Sequence, residues 1–322
     1  MPVAVVTGAS GFLGRAFVHE LEGRGYEVRG VDVRPGPKVT VGDVSRPGRW
    51  TGVLDGADLV VHAAAIVAET GDLRAFWRVN VEGTRVVLDR AGAAGVGRVL
   101  HLSSIVVHGA RFPDGVDETG PVRMTGNPYT DTKVAAEHQA LLAAASGRTA
   151  VTIVRPGDVY GPHSVPWTLR PVELMKSGVF VLVDGGKGIL SPVYVDDVVA
   201  GALTAADHPD AAGHVFHLTG GVGVTAREFF GHYAQWLGIG LRSLPRPAAA
   251  ALVAPLELVS RGLGRTTPVS VRAFEYVSHP GTYSIDKARD MLGWEPRVSL
   301  EDGMARTREW LEEVGLVTPP PT

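Results

Sequence analysis

A short apolar run at residues 3–6 leads directly into Thr7-Gly8-Ala9-Ser10-Gly11-Phe12-Leu13-Gly14, and no other stretch limits the possible folds as much. The run reads as a strand buried in a parallel sheet, and the residues after the loop as a helix. Strand, glycine loop, helix is the order that binds a dinucleotide. Gly8 permits the tight turn, Gly11 lets the backbone approach a pyrophosphate, and Gly14 lets the helix pack closely on the strand. The phosphates would sit at the helix N-terminus, with Ser10, Phe12 and Leu13 in the same loop as further contacts.

A second strand, expected over 27–33, carries Asp32 near its end, about where a carboxylate binds the adenosine ribose. That points to NAD, because a carboxylate would repel a 2′-phosphate. Arg34, two residues on, could accommodate such a phosphate and keeps NADP open. Asp43, with Val44 beside it, follows another short strand and is a candidate for the adenine edge. A solvated turn aspartate accounts for Asp43 equally well.

Residues 59–65 form a buried strand that ends in Ala63, Ala64 and Ala65, small enough to leave room for a flat cofactor. His62 reads as a packed histidine. Asn80 lies in a helical pattern where asparagine is not favoured, so it is either exposed and idle or holds backbone and water beneath a site. Ser103 and Ser104 follow the strand at 99–102, at the strand end where open parallel sheets bind ligands; a plain turn would also use them. Asn127-Pro128-Tyr129-Thr130-Asp131-Thr132-Lys133 then places Tyr129 and Lys133 on one face if the segment is helical. A free tyrosine titrates near ~10, and an ammonium beside it favours phenolate and lowers that value. Alone, this spacing is a weak signal; the context gives it weight.

The chain has 322 residues, with 31 Lys+Arg against 34 Asp+Glu and no basic run to track phosphates, which argues against a nucleic-acid partner. A small-molecule substrate is expected instead. The chain has no cysteine, which removes thiolate chemistry and fits a reducing compartment, and residues 1–6 do not read as a signal peptide, so a cytoplasmic location is expected. No apolar run approaches the ~20 residues that span a bilayer. The eleven histidines include no H-E-x-x-H pair, and His214 and His217 would face opposite sides of a strand, so no metal is expected.

Taken in order, Gly8, Gly11, Gly14, Asp32, Asn80, Ser104 ahead of Val107-His108-Gly109, and Tyr129 with Lys133 resemble the extended branch of the short-chain dehydrogenase/reductase superfamily. The resemblance covers nearly the whole chain. It implies an α/β fold with a Rossmann-type doubly wound parallel sheet and a smaller C-terminal substrate-binding lobe. It also implies that Tyr129 exchanges a proton with the substrate oxygen, Lys133 lowers its pKa and holds the nicotinamide ribose, Ser104 binds the substrate oxygen, and Asn80 supports a relay water. Pro156 and Val159, in the loop after the strand at 151–154, would lie over the nicotinamide. A homodimer through the helices carrying Tyr129 and residues 83–91 is a further implication.

Two departures separate this chain from the nucleotide-sugar epimerases it otherwise resembles. Asp158 stands where those enzymes usually present an asparagine to the substrate diphosphate, and a carboxylate would repel that group. Gly188-Ile189-Leu190 stands near where they commonly carry an arginine, with Lys187 as the nearest substitute. The loop from Arg155 to Gly157 resembles instead the 3β-hydroxysteroid and sterol dehydrogenase group.

The expected layout is a dinucleotide domain over 1–165 and a substrate lobe over 166–322, with residues around 190–220 returning to the first domain. Asp196 and Asp197 read as helix caps. Phe229, Phe230, Tyr233 and Trp236 read as core, and the apolar stretch 245–264 as core first, lid second and membrane contact last. The functional expectation is an NAD(P)-dependent oxidoreductase interconverting an alcohol and a ketone on an apolar substrate. The alternatives are a nucleotide-sugar epimerase or dehydratase with tightly bound NAD, and a dinucleotide sensor without turnover.

Overall fold

The computed structural model describes residues 1–262 and 270–318. Its centre is a parallel sheet of seven strands: β1 (Val3–Thr7), β2 (Glu27–Asp32), β3 (Val39–Val41), β4 (Leu59–His62), β5 (Arg98–Leu102), β6 (Ala150–Pro156) and β11 (Val215–Leu218). Four short strands come between the last two in sequence: β7 (Asp158–Tyr160), β8 (Leu182–Val183), β9 (Ile189–Leu190) and β10 (Pro192–Tyr194). The order across the sheet is β11-β6-β5-β4-β1-β2-β3, so the chain winds outward in both directions from β1 and β4. Ligands bind at that kind of reversal, outside the carboxyl ends of the strands.

Alternation along each strand supplies both cores. Val5, Val60, Val99 and Ile153 face one side with Trp50 and Leu54, while Val6, Val61, Leu100 and Val154 face the other with Phe17. Period-two burial on both faces makes the strands read as unbroken apolar runs. Helices cover both faces: α1 (Phe12–Gly23), the short α2 (Leu73–Phe76), α3 (Gly83–Ala93) and α4 (Pro128–Ser146), followed by α5 (Arg170–Lys176) and α6 (Val195–Asp207). Beyond them lie α7 (Ala226–Trp236), α8 (Arg246–Gly262), α9 (Val271–Val277), α10 (Asp286–Leu292) and α11 (Leu300–Glu313).

Several expectations meet a different local physics. β2 ends at Asp32 rather than at residue 33, where the carboxylate turns back to accept from the Arg34 amide at 2.9 Å. Asp196 and Asp197 lie inside the first turn of α6 and cap nothing. The Asp197 carboxylate instead receives the amides of Arg297 (3.0 Å) and Val298 (2.9 Å), tying the C-terminal segment to the sheet domain. Phe229, Phe230 and Tyr233 are core residues, but Phe230 also borders the main cavity. Within 245–264, of which 263 and 264 lie outside the described residues, Leu252, Leu256, Leu258 and Val259 are exposed, and the core reading fails for most of α8. Its Ala249, Leu252, Val253 and Leu256 edge the cavity, so this face of the helix acts as wall. No helix among the described residues is long and apolar enough to cross a membrane.

Candidate active site

The helix that presents Tyr129 is fixed at its start by three devices. Asn127 accepts from the Tyr129 amide (2.8 Å) and the Thr130 amide (3.3 Å), Pro128 occupies the first helical position, and the Asp131 carboxylate holds the amides of Thr125 and Gly126. An asparagine cap followed by proline is a strong helix start. Tyr129 therefore projects from a rigid end into a cavity of about 1190 Å³. Lys133, one turn later, is buried and donates from Nζ to the carbonyl of Leu102 at 2.5 Å, at the end of β5.

The electrostatics differ from the sequence expectation. Burial pushes the Tyr129 phenol up to about 12; the hydrogen bond with the Ser104 hydroxyl opposes this, and the Glu69 carboxylate adds to it. Burial likewise pulls the Lys133 ammonium down to about 8 against the pull of Glu137. In the protein alone, then, desolvation dominates both groups, and the Lys133 ammonium points to the Leu102 carbonyl.

The two serines after β5 have separate duties. Ser103 donates to Glu137 at 2.6 Å, and the same carboxylate takes Arg155 through Nε (3.0 Å) and Nη2 (2.6 Å) in a buried, two-pronged ion pair. Ser104 caps the turn Ile105–His108 and reaches the phenol, and both serines border the cavity. Asn80 sits in a wider π-helical turn, Trp77–Glu82, between α2 and α3. Its Oδ1 accepts from the Ile66 amide (2.7 Å), and its Nδ2 donates to the Ile66 carbonyl (3.1 Å) and to Thr132 (3.0 Å). Asn80 is thus buried and clamps the loop after β4 to the helix of Tyr129. His62 is packed as expected, between the hydroxyls of Thr7 (2.8 Å) and Thr84 (3.0 Å).

One half of the cavity suits a dinucleotide. A Cβ on Gly14 would lie 2.0 Å from the Gly8 carbonyl oxygen, so only glycine lets α1 start there. Gly8 has φ +72°, and a Cβ on it would lie 2.8 Å from the backbone of Ala64. Gly8, Gly11, Phe12, Leu13, Gly14, Ala63, Ala65, Pro156 and Val159 all border the cavity. Asp32 is buried beside the loop and accepts from the Ser10 amide at 3.0 Å, while Arg34 Nη2 donates to the Ser10 carbonyl at 3.0 Å. Asp43 accepts from the Ser45 amide at 2.9 Å, which makes it a turn residue in this structure, and the Val44 side chain points into the core. Neither borders the cavity, nor does Ala64.

The other half is walled by Val165, Trp167, Leu174, Val179, Phe180, Phe230, Phe274 and the edge of α8. Its polar groups escaped the sequence reading, apart from Asp158. Both oxygens of the buried Asp158 are used: the Tyr276 hydroxyl donates to Oδ1 at 2.6 Å and the Ser191 amide to Oδ2 at 2.8 Å. Glu69 and Arg170 also face the cavity. Lys187 is exposed and does not border it. A buried aspartate at 158 was itself a signal that a donor such as Tyr276 had to lie near it. Among the described residues no group of three or more His, Asp or Glu side chains is placed to hold a metal ion.

A doubly wound parallel sheet, a glycine cradle at its switch point and a tyrosine beside it define the class of a dinucleotide-dependent enzyme. Residues 4–218 match the NAD dependent epimerase/dehydratase family. A 4-hydroxy-2-methyl-3-oxo-4-farnesyl-3,4-dihydroquinoline-1-oxide ketoreductase from Stigmatella aurantiaca is 31% identical, over 94% of this chain and 95% of that protein. A sterol-4-alpha-carboxylate 3-dehydrogenase, decarboxylating, from Mus musculus is 27% identical, over 94% of this chain and 89% of its own. Among solved structures, MoeE5 in complex with UDP-glucuronic acid and NAD superposes with a TM-score of 0.78 at 26% identity, covering 97% of this chain and 99% of that one. The chain belongs to the NAD-dependent epimerase/dehydratase family, in the extended branch of the short-chain dehydrogenases/reductases, and is an NAD-dependent enzyme.

Proposed function

We propose that this enzyme interconverts a secondary alcohol and a ketone on a substrate with an apolar body, with Tyr129 as proton donor and acceptor, Ser104 on the substrate oxygen and Lys133 as the supporting cation. The observation that carries this is the substrate half of the cavity, whose walls are apolar and whose most deeply buried carboxylate, Asp158, is occupied by Tyr276 and Ser191. The names of the Stigmatella ketoreductase and the mouse sterol dehydrogenase support the same reading.

NAD fits the glycine cradle and Asp32 and, when bound, supplies the hydride acceptor or donor. The chain supplies position and proton transfer. With its phenol pushed up to about 12, Tyr129 is protonated at neutral pH and set to donate in the direction of ketone reduction, while the Ser104 hydroxyl fixes the oxygen. For alcohol oxidation the phenol must come down, and the Lys133 ammonium, one helical turn away, is the cation placed to bring it down once it turns from the Leu102 carbonyl. Asn80 keeps the loop after β4 against this helix. Asp32 supports NAD over NADP, although Arg34 leaves NADP open as a second cofactor. The reading includes a cytoplasmic location and a homodimer through α3 and α4, whose outward positions include Arg85, Asp89, His138 and Leu142.

The second reading, a nucleotide-sugar epimerase or dehydratase, draws support from the likeness to MoeE5 with UDP-glucuronic acid. Asp158 at the cavity wall and Lys187 outside it count against that reading. A thermal-shift panel separates the two. Native-state ligands raise stability by mass action, so NAD with an apolar hydroxy compound should raise Tm and UDP- or TDP-sugars should not. The reverse pattern would put the second reading first.

A further inference from the structure

Arg170 starts α5 and borders the apolar half of the cavity, where it is half-buried. Among the described residues its guanidinium has no hydrogen bond and no ion pair, although it carries five N–H donors. The other charged groups on this wall are spoken for. Arg272 donates to the Thr125 carbonyl at 3.0 Å, Glu275 pairs with Arg246 at 2.6 Å, and Asp158 is held by Tyr276 and Ser191. Glu69 takes Asn127 Nδ2 at 3.4 Å and the Ser270 hydroxyl at 3.5 Å, and the Arg170 charge also lowers its pKa against the burial that raises it, without a direct ion pair.

We propose that Arg170 is the anion anchor of the substrate site, and that the substrate is an apolar hydroxy or keto acid whose carboxylate it receives. This deepens the oxidoreductase reading above and rests on it for the reaction. A planar guanidinium with open donors matches a carboxylate in two parallel hydrogen bonds. Charge favours a single negative charge: among the described residues Arg170 and Arg272 border the cavity without an ion pair, Glu69 already draws on the Arg170 charge, and a diphosphate would bring two charges toward Glu69 and Asp158. Position is consistent with this, because Glu69 lies within electrostatic reach of both Tyr129 and Arg170. The acid group would sit at Arg170, with the carbon bearing the reacting oxygen toward Tyr129 and the hydrocarbon body along Trp167, Leu174 and Phe180.

The test uses the NAD-loaded full chain with a long-chain 3-hydroxy acid and its methyl ester. Binding is measured by calorimetry and turnover by the absorbance of reduced cofactor, in the parent, Arg170→Met and Arg170→Lys. The expected result is a loss of at least about tenfold in affinity and a matching rise in KM for the acid in Arg170→Met, partial retention in Arg170→Lys, kcat near the parent value, and no change for the ester. An equal loss for acid and ester would show a packing role and overturn the proposal, as would no loss for either. Tighter binding of a UDP-sugar than of the acid, weakened in the same variant, would overturn it in favour of a diphosphate. Arginine-dependent binding of the acid without turnover would support the anchor and sink the oxidoreductase reading instead, so the two fail separately.

Discussion

The hydroxyl of Tyr276 donates to Asp158 Oδ1 at 2.6 Å, joining α9 to the strand that borders the active site. Burial raises the pKa of Asp158, and the Tyr276 and Ser191 hydrogen bonds hold it down against that pressure. The carboxylate therefore serves to fix the cavity wall. Replacing Tyr276 by Phe leaves a buried acceptor unpaired, which costs roughly 1–3 kcal/mol. Urea unfolding of Tyr276→Phe should show that loss, with α9 and the cavity wall loosened; an unchanged midpoint would mean that Asp158 finds another donor without cost.

Asp32 holds the amides of Ser10 and Arg34, so Asp32→Ala should loosen the loop and weaken both dinucleotides. The informative quantity is the ratio. Without the carboxylate, Arg34 is left to meet a 2′-phosphate, and the preference should move toward NADP by about tenfold or more, read by titration with each cofactor. A constant ratio would place the ribose contact elsewhere.

Acid should unfold this protein through its buried histidines. Burial pulls His62 down to about 3 and His108 to about 4, the latter helped by Arg155, and lowers His101 and His217 well below the ordinary value. In the unfolded chain each titrates near ~6.5. Above that pH neither state takes the proton and the contribution is complete. Below it the unfolded chain binds protons that the native state refuses, so stability falls as pH drops from about 6.5 toward 4, by roughly 1.4 kcal/mol per pH unit for each group. Tm measured across this window should fall steeply, and His108→Gln should flatten the slope. A flat profile down to pH 4 would contradict the burial of these rings.

Much of this was legible in local sequence, for identifiable reasons. The glycine loop, the strands and the cap of α4 are set by neighbours within a few residues, and period-two apolar runs mark a sheet covered on both sides. Ser104 and Tyr129 were singled out by the family resemblance, and in the structure the Ser104 side chain hydrogen-bonds the Tyr129 phenol. What escaped was made by contacts across long stretches of chain: Tyr276 on Asp158, Arg155 on Glu137, and Asp197 on the amides of Arg297 and Val298. In the protein alone burial raises the Tyr129 pKa: spacing along a helix shows which side chains share a face but not how dry the site is. The core reading of 245–264 failed similarly: an apolar run does not say whether its partner is protein or a cavity.

The most direct test compares parent and Tyr129→Phe with NAD and an apolar hydroxy acid. The change removes only the proton-bearing hydroxyl. Reduced cofactor should accumulate in step with ketone in the parent, and Tyr129→Phe should bind NAD with similar affinity while losing at least about a hundredfold in rate. Near-parental turnover in Tyr129→Phe would contradict the assignment of the proton, and conversion of a nucleotide sugar by the parent without net reduced cofactor would contradict the reaction.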